Sequence, residues 1–427
     1  MNEVERVEPA RQLRGSIRVP GDKSASHRAL IISALADGSS TVTGLSPGGD
    51  VAATSQILEL LGARRDDDDG RVVVTGPHHG LRATQARLDC ANSGTSMRLM
   101  SGVLATVAGR HHLMGDLSLS RRPMDRVAVP LRLMGARVSG VGPRETPPLE
   151  IDGLSRVRAV NFHVPEASAQ VKSAVLLAAL SGDAPTSVDE DVRTRSTTEE
   201  MLAAAGVVVV STDVGPGRRV EIQPGRPSRH DWFIPGDPSQ AAFFTVLGAI
   251  HADARLDVVT VDAAPERVGF VHVLQRMGAA VELVPREVYC ALNTRSSPLV
   301  ATEVHAREIP SLDEVPVLTV AACAAVGVSA FRHMGELRVK ESDRFEGSLA
   351  LARVLGCRAW SEGDDFFIEG LGEATRFEEF SFDGDLDHRM VMAAAVAATA
   401  GCGGVISGAA TVSSSYPHFF RDLALLR

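Results

Sequence analysis

The chain has 427 residues, 44% hydrophobic, 23% charged and only 4% aromatic, with a formal net charge of −9. Such a length predicts two or three domains with cores of Ala, Val and Leu, and the acidic balance argues against non-specific nucleic-acid binding. Five scattered cysteines (Cys90, Cys290, Cys323, Cys357, Cys402) with no CxxC pair point to reduced thiols rather than disulfides or a zinc site.

The N-terminus, MNEVERVEP, is acidic and lacks the apolar core of a signal peptide. The longest near-apolar run, residues 317–331, falls short of the roughly 20 residues that span a bilayer. A cytoplasmic protein without a membrane partner is expected. Residues 16–19 read as a leading strand ending at Pro20. PGDKSASHRAL then makes a turn that delivers Lys23, Ser24, His27 and Arg28 to the start of an apolar helix. Unpaired N–H groups and the positive end of the dipole gather there, which suits an anionic small molecule. The plain alternative is a helix capped by Ser24 or Ser26 beside two solvated cations.

Further on, SSTVTGL reads as a strand and GGDVAATSQILELLGA as a helix with Asp50 as its N-cap. The acidic run 66–69 reads as a solvated hairpin turn. The pairs His78-His79 and His111-His112 point to opposite faces of any strand, so they make poor metal clamps. NSGTSMR supplies Gly94, where backbone can approach a ligand closely. Thr95 follows at a helix start, and Arg98 is either a structural hydrogen-bonder or a ligand contact. In LSRRPMDRV, Pro123 suits the first position of a helix, so Arg121 or Arg122 should project from the loop before it. SAQVKSAV places Ser168, Ala169 and Gln170 at another helix start, and TRSTTEEML places Arg195 ahead of the next.

A polar turn followed by an alanine-rich helix occurs six times. Ser24, Thr95, Ser168, Ser239, Asp313 and Asp387 mark equivalent points, 71–74 residues apart. A second landmark, an amphipathic helix ending in glycine, follows five of the six (LLGARR, LMGARV, AAAGVVV, RMGAAV, VLGCRA), and the sixth unit stops short at LALLR. Units of this length fit a globular array with internal symmetry. Three units precede and three follow the fourth start, GDPSQAAFF, which carries no cation and reads as structural. A hinge is therefore expected near Pro235-Gly236, with a companion crossing near Pro20-Gly21. The expected domains are 21–235 and 1–20 plus 236–427.

The second half holds the densest chemistry. IPSLDEVP sets Asp313 and Glu314 at a helix start, LRVKESDRF packs Lys340, Glu341, Asp343 and Arg344 after a strand-like LRV, and DLDHRM sets His388 and Arg389 at the sixth start.

PGDKSASHRA, NSGTSMR, RRPM, SAQ, the DEVP segment, LRVKESDR, the DHRM segment and the closing SSSYPHFF together resemble the enolpyruvyl transferase family, in order and over nearly the whole chain. The resemblance implies an α/β fold of two similar domains, each of three βαβαββ repeats, an inside-out α/β barrel with helix N-termini toward a cleft that closes on substrate. It implies transfer of the carboxyvinyl group of phosphoenolpyruvate to the 5-hydroxyl of shikimate 3-phosphate, releasing phosphate, on the route to chorismate, with no cofactor and no metal. Under it, Lys23, Ser24, Arg28, Ser168, Ala169, Gln170, Asp313 and Lys340 hold shikimate 3-phosphate. Lys23, Gly94, Arg122, Gln170, Arg344 and Arg389 hold phosphoenolpyruvate. Asp313 serves as the base for the hydroxyl, Glu341 moves the proton at C3, and Lys23 assists phosphate departure. A monomer inhibited by glyphosate is implied as well.

Ala169 replaces a serine of many members, a loss for which Arg195 compensates, and Ser414 stands where part of the family has lysine. Leu99 replaces a proline found in some members. The alternatives are the branch acting on UDP-N-acetylglucosamine, whose reactive-cysteine loop has no counterpart in GDLSLSRRP, and a non-catalytic anion-binding paralogue.

Overall fold

In a computed structural model of the chain, residues 3–68, 70–372 and 377–427 are described. Two strands lead, β1 (Val4–Val7) and β2 (Leu13–Ile17). The first repeat comprises α1 (Lys23–Leu35), β3 (Gly38–Thr43), α2 (Gly49–Leu60), β4 (Arg64–Asp68) and β5 (Arg71–Gly76). The second runs β6 (Arg87–Asp89), α3 (Gly94–Leu104), β7 (Gly109–Met114), α4 (Asp125–Leu133), β8 (Arg137–Val141) and β9 (Thr146–Gly153). The third runs β10 (Asn161–Val164), α5 (Ala169–Ala179), β11 (Thr186–Glu190), α6 (Thr197–Ala204), β12 (Val209–Val214) and β13 (Gly217–Ile222), and β14 (Trp232–Phe233) follows.

The fourth repeat holds α7 (Pro238–Ile250), β15 (Ala254–Val261), α8 (Gly269–Arg276), β16 (Ala280–Pro285) and β17 (Cys290–Arg295). The fifth holds β18 (Glu303–His305), α9 (Val315–Ala324), β19 (Val326–Arg332), α10 (Arg344–Val354), β20 (Arg358–Glu362) and β21 (Asp365–Leu371). The sixth holds β22 (Phe380–Asp383), α11 (His388–Ala400), β23 (Gly404–Ser407) and α12 (Phe419–Leu425).

Repeats two, three and five each close one four-stranded sheet, ordered β6-β7-β9-β8, β10-β11-β13-β12 and β18-β19-β21-β20. In each, the first two strands are parallel across a helical crossover and the rest antiparallel. The other three repeats borrow a strand. β14 opens the first repeat's sheet, parallel to β3, and β2 opens the fourth's, parallel to β15. The shortened sixth repeat gains β1, antiparallel to β23. Five of the six repeats are thus the βαβαββ unit, two of them made whole by a distant segment, while the sixth remains a three-stranded version even with β1.

Chain contacts divide the molecule into two units, Lys23–Ile234 and Met1–Asp22 with Pro235–Arg427, each with its own hydrophobic core. Within the first unit, α3 packs on α5 and α1. Within the second, α7, α9 and α11 pack on one another. These helices are buried on nearly every face, which is why α1, α5, α7, α9 and α11 carry several alanines and lack an amphipathic stripe. Small residues let them approach closely: a Cβ at Gly102 of α3 would lie 2.2 Å from the carbonyl oxygen of Ala174 on α5.

Several local expectations are corrected. The leading strand is two strands, the second ending at Ile17 rather than Val19. α1 begins at Lys23, so Ser24 and Ser26 lie inside it. Gly48 takes the N-cap of α2, because the Asp50 carboxylate is engaged elsewhere. Residues 66–68 belong to β4, where Asp66 and Asp67 meet Arg64 and Arg65, and Asp69 lies outside the described residues. α4 starts at Asp125, so Pro123 is not its first residue. LRV closes a 3-10 helix, Gly335–Val339, rather than a strand.

Candidate functional site

In the unit Lys23–Ile234, the start of α1 is tied to its neighbours by a polar network. Lys23 pairs with the buried carboxylate of Asp50 at the start of α2. The Asp50 carbonyl accepts from Ser96 at 3.3 Å, Ser96 and Thr54 share a 2.7 Å bond, and Thr54 meets His27 Nδ1 at 2.8 Å. Burial, with help from Lys23 and Arg28, pushes His27 well below the usual imidazole range and keeps it neutral.

Arg28 is 4% exposed and held by neutral oxygens. It donates from Nε to Thr198 at 2.6 Å, from Nη2 to Ser173 at 2.7 Å and from Nη1 to the Ser24 carbonyl at 2.9 Å. Arg195 reaches the Ser24 hydroxyl at 3.3 Å. Ser168 is the N-cap of α5, its hydroxyl accepting from the Val171 N–H at 3.3 Å, and Ala169 opens the helix. The Gln170 amide is fixed at both ends, donating to Thr95 at 2.9 Å and accepting from Arg98 at 2.7 Å. Arg98 also donates to the Pro123 carbonyl at 3.3 Å. Arg122, buried where Arg121 is exposed, donates to Asn92 at 2.9 Å. A Cβ at Gly94 would meet Arg98 Nη1 at 2.9 Å and Arg122 Nη1 at 3.1 Å, so glycine lets both guanidinium groups lie against the helix start.

The other unit gathers Asp313, Lys340, Glu341, Arg344 and Arg389 into one charge cluster. Arg344, fully buried, donates from Nε to Asp387 at 2.7 Å and from Nη2 to Asp387 at 3.2 Å. It also meets Glu341 at 2.6 Å through Nη2 and Asp313 at 2.8 Å through Nη1. Arg389 Nη2 lies 3.5 Å from Asp313, and Lys340 donates to the Ser311 carbonyl at 3.1 Å. Burial alone would raise Asp313, but Arg389, then Arg344 and Lys340, outweigh it and hold this carboxyl well below the usual range. Asp387 is also lowered, burial again being outweighed by Arg344. Burial lowers Lys340 against the pull of Asp313 and Glu341.

Asp387 caps α11 by accepting from the Arg389 N–H at 2.8 Å, so one side chain both starts the helix and orients Arg344. Glu314, buried, accepts from Ser239 and, at 2.6 Å, from Ser311, which pins the segment carrying Asp313.

A third cluster in this unit lies where the chain leaves and re-enters it. The segments Pro20-Gly21-Asp22 and Pro235-Gly236-Asp237 pair through reciprocal bonds, Asp22 N–H to the Pro235 carbonyl at 2.7 Å and Asp237 N–H to the Pro20 carbonyl at 2.8 Å. Buried Arg267 bridges their carboxylates at 2.6 and 2.8 Å. Burial, reinforced by Asp22, pushes neighbouring Asp262 up to about 6.

The sequence did not reveal the part that Asp50, Ser173, Thr198 and Asp387 play in holding the cations. Asp50 had a signal, an acidic residue at a helix start, with the wrong partner inferred. Ser173 and Thr198 gave none, since buried hydroxyls are common in helices. Ser414 ends a 3-10 helix, Ala409–Ser414, and Leu99 is wholly buried in α3. Among the described residues, no group of three or more His, Cys, Asp or Glu could hold a metal, and no helix is long and apolar enough to cross a membrane.

The fold and these clusters define an enolpyruvyl-transferase-type α/β protein. The enolpyruvyl transferase NikO from Streptomyces tendae superposes with a TM-score of 0.77 over 99% of this chain and 97% of its own, at 16% identity, a likeness of fold alone. An EPSP synthase from Acinetobacter baumannii superposes with a TM-score of 0.85 at 34% identity, covering 100% of this chain and 98% of its own. Residues 7–423 match the model of the EPSP synthase (3-phosphoshikimate 1-carboxyvinyltransferase) family. Curated 3-phosphoshikimate 1-carboxyvinyltransferases from Streptococcus uberis (38% identical, 97% of each chain) and Gloeobacter violaceus (42% identical, 100% of each) are similar from end to end. The chain belongs to the EPSP synthase family.

Proposed function

We propose that this chain transfers the carboxyvinyl group of phosphoenolpyruvate to the 5-hydroxyl of shikimate 3-phosphate, releasing phosphate, as its family does. The observation that carries the reading is the Asp313 carboxylate set 2.8 Å from Arg344 and 3.5 Å from Arg389, with Glu341 and Lys340 in the same cluster, in a chain matching the family over residues 7–423. Both substrates pair a phosphate with a carboxylate, and guanidinium forks recognise such groups bidentately. Shikimate 3-phosphate is assigned to Lys23, Ser24, Arg28, Ser168, Ala169, Gln170, Arg195, Asp313 and Lys340. Phosphoenolpyruvate is assigned to Lys23, Gly94, Arg122, Gln170, Arg344 and Arg389.

In the addition step, Asp313 accepts the 5-hydroxyl proton as that oxygen bonds to C2, while Glu341 protonates C3. The product is a tetrahedral ketal. In the elimination step, Glu341 takes a proton back from C3, the C2–O bond to phosphate breaks, and Lys23 neutralises the departing anion. The proton held by Asp313 is released with the phosphate. The protein supplies general acids and bases placed for each transfer. Glyphosate as inhibitor, a monomeric state and a cytoplasmic location complete the proposal.

Phosphate release, with phosphoenolpyruvate and either shikimate 3-phosphate or UDP-N-acetylglucosamine, tests the reading. Turnover is expected with the first acceptor alone. Turnover with the second, or with neither, would refute it.

A further inference from the structure

We propose that Asp313 limits the affinity of this protein for phosphoenolpyruvate, because its carboxylate is already paired with Arg344 and Arg389, the two guanidinium groups that the substrate carboxylate requires. The inference rests on the assignment of phosphoenolpyruvate to those two arginines.

The N–H fork of Arg344 is committed to three carboxylates, those of Asp387, Asp313 and Glu341, and its side chain is fully buried. These contacts take four of the five N–H donors of Arg344, and the fifth shares Nη1 with the bond to Asp313, so a further carboxylate reaches this wholly buried fork only as a neighbour gives way. Asp387 cannot leave without uncapping α11 and releasing Ser342, which donates to it at 3.1 Å. Its side chain is 0% exposed, that of Glu341 is 16% exposed and that of Asp313 is 27% exposed. Asp313 also sits ahead of α9, next to Leu312, whose φ of 58° is a left-handed backbone conformation. Asp313 is therefore the partner that can yield.

The charge balance agrees. Lys340, Arg344 and Arg389 are matched by Asp313, Glu341 and Asp387, while Glu314 beside them is held by two serine hydroxyls. An arriving polyanion meets a compensated cluster and gains a net field only as Asp313 withdraws. The withdrawal has a second consequence. Freed from two guanidinium groups, the carboxylate becomes more basic, so capture of one substrate prepares the base for the other.

Calorimetric titration with phosphoenolpyruvate alone, on wild type and Asp313→Asn, tests this. The variant should bind about five-fold to a hundred-fold more tightly, the span of ordinary coupling between sites. Equal or weaker binding overturns the inference. Asp313→Ala supplies a second arm: added formate should fill the vacated donors and weaken phosphoenolpyruvate binding to that variant while leaving wild-type affinity unchanged. Formate without effect on the alanine variant also overturns it. Wild-type turnover is measured separately, so loss of the proposed reaction and loss of this inference give different results.

Discussion

Two buried guanidinium groups, one in each unit, are held in opposite ways. In Lys23–Ile234, the Arg28 guanidinium is oriented by two hydroxyls and a carbonyl, and Gln170 is braced between Thr95 and Arg98. In the other unit, Arg344 is oriented wholly by carboxylates. Neutral acceptors satisfy a guanidinium's donors while leaving its charge available to a ligand, whereas carboxylates orient it more strongly and cancel that charge. Arg28 is therefore oriented without a carboxylate among these three bonds, while Lys23 of the same unit is paired with Asp50. Arg344 stores its charge in pairs that an anion must rearrange.

The largest test of the contrast is Asp313→Ala. Removing the base should lower kcat by about 10²–10⁴, the ordinary contribution of general base catalysis, in a protein that still folds but melts lower, because Arg344 and Arg389 lose a carboxylate partner. A near-normal kcat would remove Asp313 from the chemistry.

Next is Asp262, an acid stored in the charge-dense unit. Its folded pKa of about 6 lies above that of an unfolded aspartate, so the folded state binds the proton more tightly. Stability should fall as pH rises from about 4 to about 6, and the full cost, about 3 kcal/mol, should persist above that window. Asp262→Asn should raise the denaturant midpoint at pH 8 and match wild type below about pH 4. An equal difference at both pH values would assign the effect to something other than this proton.

A smaller effect is expected at Gly94. Gly94→Ala places a methyl against Arg98 and Arg122, both flexible at their tips, so they should shift rather than unfold the helix. The KM for phosphoenolpyruvate should rise about tenfold, equivalent to about 1.4 kcal/mol, with kcat largely retained. A large fall in kcat instead would mean the methyl reaches the reacting atoms.

The smallest effect belongs to Ser173→Ala, which removes one neutral acceptor from Arg28. A cost of about 1 kcal/mol should appear as a several-fold higher KM for shikimate 3-phosphate at unchanged kcat. Replacement by Asp should orient Arg28 equally well and weaken binding further, since the charge would then be cancelled. Tighter binding by Ser173→Asp would break the contrast between the two guanidinium groups.

Much of the fold was legible because a repeat of fixed order recurs with its landmarks intact. Glycines after the amphipathic helices and polar turns before the buried ones are local features that survive in one dimension. Misreadings fell where distant groups decide local structure. Asp50 looks like a cap, but a lysine from another helix claims its carboxylate. LRV looks like a strand, yet it closes a 3-10 turn in front of Lys340.

The chain alone determined which residue types stand at each helix start, and hence that small anions are the ligands to consider; the family resemblance in its motifs implied that these carry both phosphate and carboxylate groups. Only tertiary structure decided how those charges are partnered. β1, β2 and β14 join repeats far away in sequence, and Arg344 at the start of α10 finds Asp387 in the next repeat and Asp313 ahead of α9 in its own. Propensity and spacing are properties of neighbours along the chain. The field at a guanidinium is set by whatever folding brings within a few ångströms of it.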